Sequence, residues 1–92
     1  MNNNKHTIEE VRMQVNIDDL KCGDWIFETE GKFMKGKVVR RGRIVDIYGG
    51  TVGWTIWSES HDRQYKADFN DSQQTTFTIL RNETNATQGE CL

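Results

Sequence analysis

Two apolar-rich runs, Ile44-Val45-Asp46-Ile47-Tyr48 and Val52-Gly53-Trp54-Thr55-Ile56-Trp57, flank Gly49-Gly50 within residues 42–61. β-Branched and aromatic side chains suit a pleated strand. Glycine reaches the positive φ that a tight hairpin turn requires. The segment is therefore expected to form a β-hairpin. Alternation would put Ile44, Asp46 and Tyr48 on one face of its first strand, with Val45 and Ile47 on the other. On the second strand Val52, Trp54 and Ile56 share a side, and Thr55 and Trp57 take the opposite one. An isolated hairpin is marginal in water, so further strands must cover its apolar face.

The remaining chain supplies them. Val11, Met13, Val15 and Ile17 alternate with Arg12, Gln14, Asn16 and Asp18. That period of two favours a strand over 13–17, although Thr7 and Glu10 have the spacing of a helix-capping box. Leu20 and Gly23-Asp24 then lead into an apolar strand over 25–29; the glycine permits the turn and the aspartate can bond the backbone around it. Residues 30–36 read as a loop, 37–41 as a strand, and Gly42 as a bulge or bend. Tyr65, Ala67 and Phe69 share one face of a strand over 64–69, and Phe77 and Ile79 share one face of another over 75–80. Five to six short strands, broken by turn signals every eight to twelve residues or so, indicate an all-β small barrel or sandwich. The chain of 92 residues has room for one domain. A barrel over 11–81 is expected, between flexible polar ends at 1–10 and 82–92.

Charge is nearly balanced, with 12 basic and 14 acidic residues, but it is segregated along the chain. Residues 32–43 carry Lys32, Lys35, Lys37, Arg40, Arg41 and Arg43 and no acid, while acids gather before and after. Such a distribution can steer a partner of opposite charge. Cys22 and Cys91 are the only cysteines; their spacing supports neither a metal site nor a disulfide. No leader-like apolar segment and no run of membrane-spanning length occurs, so a cytoplasmic protein with no membrane association is expected.

From Leu20 to Leu80 the pattern looks like an SH3-like barrel. Gly23-Asp24, then Gly42-Arg43-Ile44-Val45, then the run Gly53-Trp54-Thr55-Ile56-Trp57-Ser58-Glu59-Ser60-His61 also resemble, in order, motifs of the plasmid-borne type II dihydrofolate reductases. That family builds a tetramer whose substrate and nicotinamide contacts lie on a Val-Gln-Ile-Tyr segment shortly after the matching histidine. The positions in register here are Tyr65-Lys66-Ala67-Asp68, and none of the four residue types agrees. The resemblance thus implies a fold and leaves the activity behind.

The basic run is the strongest functional candidate. Its cations can pair with carboxylates or phosphates, and Tyr48 and an outward Trp57 would add aromatic contact. One or two of Trp25, Trp54 and Trp57 are expected to fill the core. Ser58-Glu59-Ser60-His61-Asp62 holds the residue types of a nucleophilic triad, yet adjacent residues of one turn do not converge. The expectation is a non-enzymatic binding module without a cofactor or metal, an accessory or regulatory factor of a phage or plasmid. Its sites would be Lys32, Lys35, Lys37, Arg40, Arg41, Arg43, Tyr48 and Trp57, and its partner a protein with an acidic surface. Nucleic acid bound in a KOW-like manner and an oligomeric, reductase-like small-molecule binder are the alternatives. Reversing Arg40, Arg41 and Arg43 to glutamate is expected to abolish binding and leave stability within about 1 kcal/mol.

Overall fold

The computed structural model describes residues 10–29, 31 and 34–82. The two ends expected to be flexible lie almost wholly outside these residues, as do Lys32 and Phe33 of the first loop. Six strands form: β1 (Glu10–Asn16), β2 (Trp25–Thr29), β3 (Gly36–Val45), β4 (Thr51–Ser60), β5 (Arg63–Asn70) and β6 (Thr76–Asn82). Short 3-10 turns, Ile17–Asp19 and Asp71–Gln73, follow β1 and β5. The strands make one antiparallel sheet in the order β1-β6-β2-β3-β4-β5. The sheet is open. Strands β1 and β5 are its two edges, and strand pairing among the described residues does not close it into a barrel.

An open sheet can still curl. Strands β5 and β6 stand apart in the strand order, with β2, β3 and β4 between them. Even so, Phe69 of β5 meets Phe77 of β6 edge to face, with ring centroids 5.2 Å apart. Strand twist and coiling bring the two parts together, and the concave side becomes the core. Leu20, Ile26, Met34, Val38, Ile56 and Ile79 are buried there with the two phenylalanines, and Val15 and Ile17 extend the cluster. Each fully buried aliphatic or aromatic side chain stabilises the fold by roughly 1.5–3 kcal/mol. The expected alternations of Val15 and Ile17, of Tyr65, Ala67 and Phe69, and of Phe77 and Ile79 all point to this side.

The core also encloses a charge. Asp24 is fully buried. Its carboxylate accepts hydrogen bonds from Arg81 Nε at 2.9 Å and Nη2 at 2.8 Å, and from the Lys21 N–H at 2.8 Å. Gly23 supplies the left-handed φ of +99° that turns the chain into β2. Arg81 Nη2 also donates to the Asp19 carbonyl at 2.8 Å, so the last strand is tied to the turn that precedes the second. Ser58, buried on β4, donates its hydroxyl to the Lys35 carbonyl at 2.9 Å.

Several local expectations are revised. The first strand of the central hairpin ends at Val45, and residues 46–50 form the loop. Asp46 Oδ1 accepts from the Tyr48 N–H at 2.8 Å and the Gly50 N–H at 3.0 Å, and so folds the chain before Ile47 and Tyr48 can extend. This local competition with strand pairing is typical of aspartate. The face assignments made for Asp46, Ile47 and Tyr48 therefore lapse. Asp46→Ala should cost about 0.5–1.5 kcal/mol in urea unfolding; an unchanged midpoint would mean that Gly49, at φ +89°, closes the loop unaided. No tryptophan is fully buried: Trp54 only packs against the core and Trp25 is exposed. Cys22, half-buried beside the core, is disulfide-bonded where the sequence spacing gave no support for a bridge. Cys91, the only other cysteine, lies outside the described residues.

Candidate partner-binding face

One extra residue divides the basic run. Val38 stands opposite Ser58, but Arg40 stands opposite Trp57, so Val39 is a bulge in β3. Side chains alternate along a strand, and an inserted residue exchanges the two faces beyond it. Before the bulge, Val38 points into the core and Lys37 outward. After it, Arg41 and Arg43 lie across from Ile56 and Trp54 on the concave side, and Arg40, Gly42 and Ile44 take the convex side. The Arg40-Arg41-Gly42-Arg43 cluster is therefore not one exposed patch.

On the concave side the cations are engaged. The Arg41 guanidinium lies 4.0 Å from the Trp54 ring centroid and that of Arg43 lies 4.4 Å from it. Arg43 also forms a paired contact with Asp71, Nη2 to Oδ2 at 2.7 Å and Nη1 to Oδ1 at 3.3 Å. The Trp54 indole N–H donates to Asp18 Oδ1 at 3.1 Å. Burial lowers the Arg41 pKa from its ordinary value; Asp18 and Asp24 act against this, the charge of Arg43 adds to it, and Asp19 opposes it. Its Nε is buried with no hydrogen-bond partner among the described residues. Arg41 and Arg43 are structural cations stacked on an indole that seals one end of the core.

The convex side presents a different set. Trp57 of β4 is bordered by one cation from each neighbouring strand, Arg40 of β3 and Lys66 of β5. The Arg40 guanidinium is 4.5 Å and the Lys66 Nζ 5.7 Å from the ring centroid. The ring extends over Gly42, where a Cβ would meet its outer carbons at 3.5 and 3.8 Å. A second row follows along the strands: exposed Trp25 of β2 opposite Lys37, and Lys37 opposite Glu59. Farther across, the Arg12 guanidinium sits 4.3 Å from the Phe27 ring centroid. A shallow hollow of about 190 Å³ opens between Arg40, Trp57, Glu59, Gln64 and Tyr65. Ligand pockets for drug-sized molecules run from about 300 Å³ upward, so this one suits a single side chain.

Of the expected site residues, Lys37, Arg40 and Trp57 come together on the convex face, while Arg41 and Arg43 are withdrawn from it. Lys35 is exposed in the loop before β3. Tyr48 stands at the hairpin tip with 88% of its surface exposed, beyond the end of β3 and apart from Trp57. Lys32 lies outside the described residues. Lys66, Trp25, Arg12 and Phe27 were missed. Lys66 had a signal: His61-Asp62 is a two-residue loop that sets Ser60 against Arg63, and counting back pairs Trp57 with Lys66. His61 takes the left-handed φ of +56° that such a loop uses. Among the described residues no group of His, Cys, Asp and Glu could hold a metal ion. The Ser58 hydroxyl donates to the Lys35 carbonyl. No helix among the described residues is long and apolar enough to cross a membrane. No family model, curated protein or solved structure matches the chain.

Proposed function

We propose that the chain is a non-enzymatic binding module whose convex sheet face takes an acidic segment of a protein partner. The observation that carries this reading is the row Arg40–Trp57–Lys66, with Lys37 and Trp25 beside it, on the convex face of the antiparallel sheet. A half-buried tryptophan bordered by cations, with the exposed Trp25 beside it, combines apolar contact area with carboxylate-pairing groups, the composition of a binding hot spot. Base stacking on nucleic acid needs a free π face. Here cations from both neighbouring strands already lie over Trp57, and the chain as a whole carries a net charge of −2. Both features favour a short acidic peptide over a long polyphosphate.

For the fold we propose an SH3-like barrel left open along its pairing, with β1 as an added strand. The order β6-β2-β3-β4-β5, the 3-10 turn before β6 and the Phe69–Phe77 contact support this. The disulfide at Cys22 favours an oxidising compartment over the cytoplasm expected from the sequence.

The test is tryptophan fluorescence of the whole chain, titrated with a glutamate-rich peptide and separately with single- and double-stranded oligonucleotides, at low and moderate salt. A saturable response to the peptide that weakens with salt is the expected result. A response to oligonucleotides alone, with a steep salt slope, would replace the protein partner with nucleic acid.

A further inference from the structure

Among the described residues strand β5 ends the sheet, and one side of it has no hydrogen-bonded neighbour strand. An edge of this kind is a template for pairing with another chain, which proteins ordinarily block with charge or irregular structure. Strand β5 carries charge, but in a pattern that complements itself. Read outward from Ala67, Lys66 on one side answers Asp68 on the other, Tyr65 answers Phe69, and Gln64 answers Asn70. A two-fold interface requires this relation, since any residue i that contacts residue j must be matched by j contacting i.

We propose that the chain forms a homodimer by antiparallel pairing of β5 with β5 of a second copy, the dyad passing through Ala67. Opposed residues of an antiparallel pair share a face. Lys66 and Asp68 both lie on the convex side, opposite Trp57 and Thr55, so each lysine meets the aspartate of the other copy there. Asp68 already accepts a hydrogen bond from the Thr55 hydroxyl at 2.7 Å, which holds its carboxylate on this face. On the concave side Tyr65 and Ala67, partly buried against the core, come to stand opposite Phe69 and Ala67 of the second copy. The core thereby continues across the dyad.

About the centre of β1, Arg12 would stand opposite Gln14, leaving its charge unanswered. Pairing through β5 also places the two Arg40–Trp57 rows on one continuous surface, so the dimer would offer a partner two equivalent contacts.

Sedimentation equilibrium of the full chain tests this. The expected species has twice the 10.7 kDa mass of the chain. Lys66→Asp puts an acid opposite Asp68 at two symmetric positions and should weaken the dimer roughly ten- to a hundredfold. Asp68→Lys should do the same. The double exchange Lys66→Asp/Asp68→Lys re-creates the opposite-charge pairs in reversed order and should restore dimerisation, with circular dichroism reporting that each variant folds. A strictly monomeric wild type overturns the proposal. So does a dimer insensitive to the single exchanges, or a folded double variant that stays monomeric.

Discussion

Arg81→Ala is expected to lower the unfolding free energy by about 3–5 kcal/mol, because it leaves a buried carboxylate without its cation. Asp24 has no exposed surface, and Arg81 supplies two of the three hydrogen bonds its carboxylate is shown to accept. For a domain of this size the whole stability is on the order of 5–15 kcal/mol, so the variant loses a large share of it. Arg81 reaches from β6 to the turn before β2, and its loss releases both. Replacing Asp24 and Arg81 together by asparagine and leucine should recover a good part of the deficit, since no unpaired charge then remains buried. Urea unfolding of the single and double variants measures this. Equal losses in the two would show that the cost lies in packing and not in the stranded charge.

The second large effect separates two neighbouring arginines. Arg41→Glu should cost about 2–3 kcal/mol, by removing a cation stacked on Trp54 and placing an acid beside Asp18, Asp24 and Asp19. Arg40→Glu should cost less than about 1 kcal/mol, because the side chain is exposed and its contact is with the convex face. Binding of an acidic peptide should respond in the reverse order, falling with Arg40→Glu while the protein remains folded. The triple reversal considered on sequence grounds would have mixed the two effects, and its loss of binding could have come from loss of the fold. Similar stability losses at both positions would contradict the division of faces by the Val39 bulge.

That bulge explains why the candidate site was only partly legible in the sequence. The hairpin, the alternating strands and the Gly23-Asp24 turn follow from local chemistry: apolar period, glycine conformational freedom, and aspartate bonding to nearby backbone. Such signals sit within a few residues of the structure they encode. The face of Arg41 depends on Val39 being left out of the β3–β4 register, and nothing in Val38-Val39-Arg40 marks which residue is extra. Gly42, the residue expected to break the strand, is continuous with it and serves instead as the floor beneath the Trp57 ring. The partners of Trp54 come from the neighbouring strand β3 and from the first 3-10 turn, a segment distant in sequence whose approach depends on the curl of the sheet. Asp46 was readable in principle, since aspartate two residues before a tyrosine and four before a glycine can bond both amides, but the apolar run around it hid the loop.

The proposed binding face is best tested through the indole N–H resonances of the three tryptophans, followed while a glutamate-rich peptide is added to the isotopically labelled chain. Trp57 and Trp25 lie on the convex face and Trp54 on the concave one, so a single spectrum reports both surfaces. Shifts of Trp57 and Trp25 that saturate together, with Trp54 unmoved, are expected, and Lys37→Glu/Arg40→Glu should abolish them without touching β5. A titration in which no indole moves, or in which Trp54 moves alone, would contradict the proposed binding face.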